Sequence, residues 1–522
     1  MQEKSDLVQM KRERWFNYRP LCLVFIMLLI GSIFSFYCFF AWQRGDKALN
    51  ILLAVGLILV CLAVNIIFAV RNKCVKLFLI PAISFLIGVG IFGLSLATFN
   101  NKNFVEPTTI DARICLVKTN DKSKTVYADN LYFDGIKTTG KIVIYLTDYS
   151  YAFENVEVGK QIHFTPNSVK QIDLLKGDTP NAYYFKNNIK YQVSANITNF
   201  EFGSTKFTFA EIVRLRIKKA LSFGLSNQNT ELTYSALFGD KTTLSDTSIE
   251  SFKLAGVAHL LAVSGLHVGI VVGLFNWICK KLKLKNWIKL TIIGVLLVFY
   301  VYLCNFSTSI VRATIMVMVM LLAPVFHRKY DSLSAIGLAG IVCFLLNPLF
   351  AFDASALMSF ACVTGICLLN MSFTKMLDKA KMKNVVSESF AITTSTMVAL
   401  LLIMAYFFKT MNLISISSNI ILIPLFSIGF MIVFVVGFLG LITPYIGYLL
   451  YPLNYLFDFI GLIARVLGNL PFANFTTTSV HYFAVVIYMA LLLIMSRITV
   501  SKHKHKLAVI LPIVAILIAF ML

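Results

Sequence analysis

The sequence predicts a polytopic α-helical membrane protein of about 13 spans with an inserted small, β-rich, OB-like extracytoplasmic domain. Hydrophobic residues make up 58% of the 522 residues, charged residues only 14%, and the mean hydropathy is +0.78. A soluble protein with a large core does not reach this composition. We divide the chain into an N-terminal three-span membrane segment (1–100), the β domain (101–205), a basic amphipathic linker-helix region (206–253) and the main membrane domain (254–522).

Three uncharged runs open the chain and set its orientation. They are Leu21–Ala41, Ala48–Val70 and Leu77–Thr98. Lys and Arg gather in the short loops that we predict to lie inside, whereas the short outer loops hold only Arg44, Lys47 and Lys409. This bias predicts a multi-pass protein of the inner (plasma) membrane with a cytoplasmic N-terminus. It also accounts for the net charge of +22, which is therefore no evidence of nucleic-acid binding.

The β domain is indicated by period-two alternation and by turn signals. Ile110, Ala112 and Ile114 alternate with polar residues, and Asp134-Gly135 and Thr139-Gly140 mark turns. Such spacing predicts several short strands in a small barrel or sandwich, of which an OB-like barrel is one form. The domain also carries aromatic residues that either stack nucleobases or belong to its core and interfaces. The stacking candidates are Tyr145, Tyr149, Tyr183 and Tyr184.

The linker region begins with basic residues set among apolar ones. Arg214, Arg216 and Lys218 alternate with Val213, Leu215 and other apolar residues. This pattern predicts an amphipathic helix that either lies along the outer membrane surface or packs as a linker on the neighbouring domain.

The stretch His259–Gly269 is the most informative part of the main membrane domain. It lies in an apolar run from about Leu254 to Cys279, which is long enough to span a bilayer. Glycines recur there every four residues, and two histidines eight residues apart share one helix face. The polar strip therefore either packs tightly against other helices or lines a functional pore. Its members are His259, Ser264, Gly265, His267, Gly269 and Gly273.

Two later runs are long enough to cross the membrane twice. The first, Leu290–Phe326, turns around Asn305–Ser309, which places Arg312 near the outer surface. The second turns at Asn347-Pro348 and returns from Asp353, so Asp353 lies at a similar depth to Arg312. Intramembrane charges usually pair or line a cavity, and both roles are open to these two residues.

The last part of the chain adds a polar patch and further spans. Residues Ser415–Asn419 precede Pro424, the arrangement of a discontinuous helix, and Asp458 and Arg465 share one helical face. Tyr482–Ser496 and Leu507–Leu522 are predicted to close the chain as spans.

Several of these motifs, taken in order, resemble those of the ComEC family of DNA-uptake (competence) channel proteins. Ala236-Leu237-Phe238-Gly239-Asp240 resembles the family's Ala-Leu-x-x-Gly-Asp element, and His259–Gly269 resembles the stretch that follows it. Ser309-Ile310-Val311-Arg312-Ala313, the Asn347-Pro348…Asp353…Ser359-Phe360 segment, and Asn419 with Pro424 resemble later family motifs. Residues 181–189 are similar to the end of the family's OB-like domain.

The resemblance implies an inner-membrane channel that translocates single-stranded DNA into the cytoplasm during natural transformation. The channel candidates are His259, Ser264, Gly265, His267, Gly269, Gly273, Arg312, Asp353 and Asn419. The implied partners are single-stranded DNA, the lipid bilayer, a periplasmic DNA receptor, and a cytoplasmic helicase or single-strand-binding protein. The chain departs from the family at Ser355–Met358, where Gly-Phe-Gln is usual.

We expect no enzyme activity, cofactor, metal or catalytic residue in this chain. The family's C-terminal metallo-β-lactamase-like domain is expected to be absent, because no Asp-His follows His503-Lys504-His505. Two alternative functions remain at this point. One is an intramembrane hydrolase that uses Ser264 with His267, and the other is a transporter of another anionic polymer or lipid.

Overall fold

A computed structural model describes most of the chain, with the β domain joined to a bundle of apolar helices. The described residues are 19–44, 76–99, 104–120, 123–146, 156–174, 181–379, 384–412, 414–470 and 474–476. The predicted spans 48–70, 482–496 and 507–522 lie outside these ranges, as do Tyr149 and His503–His505.

Seven helices in the described part of the chain are long and apolar enough to cross a membrane. The protein is therefore a multi-pass membrane protein, whereas the total of about 13 spans stays a prediction. These helices are α1 (Pro20–Arg44), α2 (Lys76–Phe99), α8 (Asn286–Leu303), α9 (Thr308–Val325), α11 (Ala354–Lys379), α12 (Asn384–Phe408) and α13 (Ser415–Leu439).

The remaining elements of the membrane domain are shorter or bent. They are α4 (Phe209–Gly224), α5 (Asn227–Phe238), α6 (Asp246–Leu254), α7 (Gly265–Lys281), α10 (Ser332–Leu346), α14 (Leu453–Gly468) and the strand pair β9 (Thr410–Asn412) with β10 (Asn474–Thr476). A 3-10 helix, Pro444–Leu450, meets α14 at a bend of 57°.

The two predicted hairpin turns of the membrane domain are confirmed. Helix α8 ends at Leu303 and α9 begins at Thr308, so the chain turns around Asn305. Helix α10 ends at Leu346, directly before Asn347-Pro348, and α11 begins at Ala354. Both turns follow from local chemistry, because proline disfavours a helical conformation at the preceding residue and Asn305 adopts a positive φ of 50°.

The β domain contains eight strands in one sheet, as the alternation predicted. The strands are β1 (Ile110–Asn120), β2 (Ser123–Phe133), β3 (Ile136–Lys137), β4 (Lys141–Leu146), β5 (Lys160–Phe164), β6 (Ser168–Gln171), β7 (Ile189–Ala195) and β8 (Phe200–Thr205), with the short helix α3 (Ala182–Lys186) before β7. Their order is β6-β7-β4-β2-β1-β5-β8, with β3 on β2. Alternate residues such as Ile110, Ala112 and Ile114 are buried in the domain core. Among the described strands β6 and β8 are edges, so the closed barrel of an OB fold stays a prediction.

The linker region forms three helices, of which α4 packs into the membrane domain. Thr208 and Glu211 form a capping box at its start. Its small residues approach the 3-10 helix closely: a Cβ added at Gly224 would lie 2.9 Å from the carbonyl carbon of Gly447. The sequence allowed this helix either to lie along the membrane surface or to pack as a linker. The structure shows that one of its faces packs against protein, while Phe209, Ile212 and Leu215 remain exposed on another face.

Candidate functional site

The apolar run Leu254–Cys279 is broken at Ser264, so the prediction of one continuous span there was wrong. Helix α6 ends at Leu254, a 3-10 helix covers Ala258–Leu261, and Ser264 is the extended N-cap residue of α7. His259 and His267 consequently lie on different elements and do not share a helix face. The run reads as continuous because Leu260, Leu261 and Val263 are apolar, but they are buried against protein.

The break is fixed on both of its sides. Upstream, Gly256 has φ of +73°, and a Cβ added there would lie 2.5 Å from Ser415 Cβ. Asn412 Nδ2 donates to the carbonyl oxygens of Lys253 (2.9 Å) and Leu254 (3.1 Å). Downstream, the backbone N–H of Ser264 donates to His267 Nδ1 at 3.0 Å. The end of α6 is therefore held by contacts with β9 and the start of α13, and the N-terminus of α7 is held by its own third residue.

His267 holds the helix start and is poorly placed to act as a general base. Its side chain is fully buried, with ring centroids 4.4 Å from Phe430 and 5.9 Å from Phe426. Nδ1 already accepts the Ser264 N–H, and the Ser264 hydroxyl competes for the same nitrogen at 3.2 Å. Nε2 contacts no hydrogen-bonding group of the described residues, so no carboxylate orients the ring as in a Ser-His-Asp triad. This geometry disfavours the hydrolase hypothesis.

Arg312 is buried beside the first residue of α7. It lies in the first turns of α9, where its residue is 5% exposed. Nη1 donates to the carbonyl oxygen of Ser359, and the guanidinium lies 5.7 Å from the Phe360 ring centroid. A Cβ added at Gly265 would be 3.3 Å from Nη2. Nε has no partner among the described residues, and no carboxylate there forms an ion pair with this side chain.

Of the two roles that the sequence leaves open for Arg312 and Asp353, pairing with each other is not found in the structure. Asp353 Oδ2 lies 3.2 Å from Lys186 Nζ, on helix α3 of the β domain. Asp353 Oδ1 also accepts from the backbone N–H of Ser355 at 3.0 Å, which caps the start of α11. Hydropathy does not indicate the direction in which each of these charged side chains points, so it could not identify Lys186 as the partner of Asp353.

Of the two alternatives for the glycine strip of α7, close packing is found only at its first glycine. Only Gly265 has a close neighbour, Arg312. A Cβ added at Gly269 or Gly273 would meet nothing within 4 Å, and both residues are exposed. The open strip therefore begins one turn after the Arg312 contact and continues along the helix towards Trp277, which is 59% exposed.

The polar patch at the start of α13 is buried in part and does not break its helix. Helix α13 runs without interruption through Pro424, so the predicted discontinuity at that position was wrong. Ser418 Oγ and Asn419 Oδ1 are buried without a partner among the described residues. Helix α13 also supplies Phe426 and Phe430, which lie on the face that contacts His267.

Three of the predicted stacking tyrosines lie together on the β domain. The Tyr183 and Tyr184 ring centroids are 5.9 Å apart. Burial, and to a smaller extent a hydrogen bond with Tyr184, raises the pKa of Tyr145 to about 12. Tyr127, which the sequence did not single out, shares a hydrogen bond with Tyr183. Tyr183 remains 52% exposed and Tyr145 38% exposed, so the cluster presents aromatic surface to solvent.

Two further contacts of the site could not be predicted from residue pattern. Ser359 and Phe360 entered the prediction as motif residues and prove to hold the Arg312 guanidinium. Lys241 was not selected, although its loop contacts the break. Within the described part of the chain, no group of three or more His, Cys, Asp or Glu residues is arranged to hold a metal ion.

Comparisons with known proteins identify relatives of this chain. The family model described as "Competence protein" matches residues 236–501. ComE operon protein 3 of Bacillus subtilis is 27% identical over 253 residues, which cover 47% of this chain and 31% of that protein. Recombination protein 2 of Haemophilus influenzae is 29% identical over 166 residues, which cover 30% of this chain and 20% of that protein.

A third relative, an uncharacterized protein of Aquifex aeolicus, is 32% identical over 139 residues, which cover 26% of this chain and 32% of that protein. The matched regions thus span at most about a third of each of these relatives. No solved structure matches this chain.

Proposed function

Because this chain belongs to the competence protein family, we propose that it is a channel through which single-stranded DNA enters the cytoplasm during natural transformation. The names of two relatives, a ComE operon protein and a recombination protein, agree with a role in DNA uptake. In this proposal the protein lies in the inner membrane with a cytoplasmic N-terminus, as the distribution of Lys and Arg predicts.

The observation that supports an anionic substrate most directly is the charge of Arg312 beside the start of α7, which pairs with no carboxylate of the described residues. A buried guanidinium without a carboxylate partner costs several kcal/mol. The neighbouring helix N-terminus adds a partial positive charge and N–H groups that are not used within the helix. Two positive groups side by side favour an anion, and a DNA phosphate matches both of them.

The open strip of α7 supports a path that runs on from this anion site. A polyanion that crosses about 30 Å of hydrocarbon needs a protein-lined route on which each phosphate is held weakly. Gly269 and Gly273 offer a surface without side chains directly beyond Arg312. In the proposal His259, Ser264, Asn419 and these glycines line the route, while Asp353 holds the β domain in place.

The tyrosine cluster of the β domain supports a single strand rather than a duplex as the substrate. Exposed bases stack on aromatic rings with about 1–3 kcal/mol per base, and a duplex does not offer free base faces. Tyr145, Tyr183 and Tyr184 would receive the strand before it reaches the membrane domain. A periplasmic DNA receptor would deliver the DNA, and a cytoplasmic helicase or single-strand-binding protein would withdraw it.

The alternative that remains is a transporter of another anionic polymer or of a lipid, since Arg312 would suit any phosphate. Deletion of the gene separates the two. The DNA channel predicts loss of labelled-DNA uptake with a normal envelope, whereas the alternative predicts an envelope defect with normal DNA uptake.

We expect Arg312→Met to lower DNA uptake at least about ten-fold at equal membrane abundance, since the contact with phosphate is lost. Arg312→Lys should recover part of the uptake, because it keeps the charge but loses the planar fork. Arg328→Met is the matched control, since Arg328 is exposed. The measurement is entry of labelled DNA into intact cells. Wild-type uptake by stably inserted Arg312→Met would contradict the proposed role of this residue.

A further inference from the structure

A cleft on the outer face of the β sheet is separate from the tyrosine cluster. Its volume is about 450 Å³, within the usual range of roughly 300–1,000 Å³ for ligand pockets. Asp111 of β1 lies opposite Tyr132 of β2 and His163 of β5, and His163 lies opposite Glu201 of β8. The next residue to His163 in β5, Ile162, is buried in the core, so this row of four side chains lies on the outer face and lines the cleft.

The cleft is acidic, because neither of its carboxylates pairs with a lysine or arginine of the described residues. Asp111 Oδ1 lies 2.6 Å from His163 Nδ1, and Glu201 is exposed. Arg113, two residues further along β1, already forms ion pairs with two other carboxylates. Two carboxylates outnumber the one imidazole, so the row is negative whether or not His163 is protonated. It would repel a phosphate and attract an ammonium or guanidinium group.

Strand β8, which bounds this cleft, is an unprotected edge of the sheet. It pairs with β5 on one side, and no described strand pairs with its other side. The opposite edge strand, β6, is protected: the backbone N–H of Val169 donates to Glu106 Oε1 at 2.6 Å, and Lys170 is exposed. The β8 sequence contains neither lysine nor proline, the residues that usually guard an edge. The outward-facing peptide groups of β8 can therefore pair with another chain.

An extended chain added to β8 would place its side chains at the cleft. Neighbouring strands lie about 4.7–4.9 Å apart, and every second side chain of the added strand would share the face that carries Glu201. The Cβ atoms of directly opposite residues are about 4.5–5.5 Å apart, so a basic side chain there would reach the Glu201 carboxylate. Gly203, two residues along β8, also lines the cleft and has no side chain that could close it.

We propose that the edge of β8 and the acidic cleft form one docking surface for an extended, basic segment of another protein. The backbone of the segment pairs with β8, and one of its arginine or lysine side chains enters the cleft beside Glu201. Main-chain hydrogen bonds then provide affinity, and the pocket for an alternate side chain provides specificity. The surface uses neither Arg312 nor α7, so the inference goes beyond the DNA path and does not depend on it.

The test is a charge swap measured by fluorescence anisotropy with the full chain in lipid nanodiscs. The probe is a short labelled peptide of alternating threonine and valine with one central arginine, and a second peptide has glutamate at that position. We expect Glu201→Lys to weaken binding of the arginine peptide about five-fold, since an attraction becomes a repulsion, and to strengthen binding of the glutamate peptide. Glu157→Lys is the matched control, because Glu157 is exposed in the same domain and does not line the cleft.

A third peptide, the arginine peptide methylated at alternate backbone nitrogens, tests the strand pairing. It should bind poorly, because it lacks the N–H donors that pair with β8.

The outcomes decide between this docking surface and other uses of the cleft. Equal binding of the arginine and glutamate peptides by the wild type, or undiminished binding of the methylated peptide, would overturn the proposal. An effect of Glu157→Lys equal to that of Glu201→Lys would also overturn it, because the effect would be one of general charge. Weaker binding of an oligodeoxythymidylate by Glu201→Gln would assign the cleft to nucleic acid instead. Tighter binding of the glutamate peptide by Glu201→Lys shows that this variant is folded.

Discussion

Charged residues of the membrane domain that have partners serve structural roles, which makes Arg312 stand out. Asp353 binds Lys186 and caps α11, and Asp458 accepts a hydrogen bond from Asn229 Nδ2 at 2.9 Å. Arg312 is also buried, but its guanidinium donates to the neutral carbonyl of Ser359 and contacts the ring of Phe360. A charged side chain that pairs with no carboxylate in the described part of a membrane protein is a functional candidate.

At the residue scale, Gly265 and Gly269 should respond differently to alanine. Alanine at either position favours the helix by about 0.5–1 kcal/mol relative to glycine. At Gly265 the added Cβ lies 3.3 Å from Arg312 Nη2 and has to move the guanidinium, whereas at Gly269 it meets nothing within 4 Å. We therefore expect Gly265→Ala to lower DNA uptake several-fold and Gly269→Ala to leave it near wild type. Equal uptake by the two variants at equal abundance would contradict the contact between Gly265 and Arg312.

At the scale of elements, the β domain is held to the membrane domain at two places. Helix α3 contributes Lys186, which binds Asp353, and Phe185, whose ring centroid is 5.7 Å from that of Phe99. On the other side Arg113 binds Glu211 of α4 at 2.9 Å. These contacts fix the tyrosine cluster relative to the bundle, so the orientation of the β domain is built into the fold.

A double-mutant cycle tests the first of these attachments. Lys186→Ala and Asp353→Asn should each raise hydrogen exchange in α3, since the ion pair is lost, while asparagine keeps the cap of α11. The double variant should be no worse than the worse single variant, because both remove the same interaction. The cycle of Arg312→Ala with Asp353→Asn is the control and should be additive. Additive effects in the Lys186 cycle, or coupling in the Arg312 cycle, would reverse the assignment of partners.

At the scale of the whole molecule, the sequence predicted what depends on local pattern and missed what depends on packing. Alternation predicted the β domain, and Asn347-Pro348 predicted a turn. The break at Ser264 does not follow from hydropathy, because Leu260 and Leu261 have the composition of a membrane span, although they are buried in protein. Pro424 was over-interpreted, since membrane helices tolerate proline when neighbouring groups satisfy the backbone.

If DNA passes along α7, photo-crosslinking during uptake should capture it on the open face of that helix. Trp277 on α7 and Trp287 on α8 are both 59% exposed, so they form a matched pair. A photoreactive phenylalanine analogue replaces each in turn, and cells are illuminated while they take up labelled DNA. We expect DNA to be captured at position 277 and not at position 287. Capture at 287 alone, or equal capture at both positions, would contradict a path along the open face of α7.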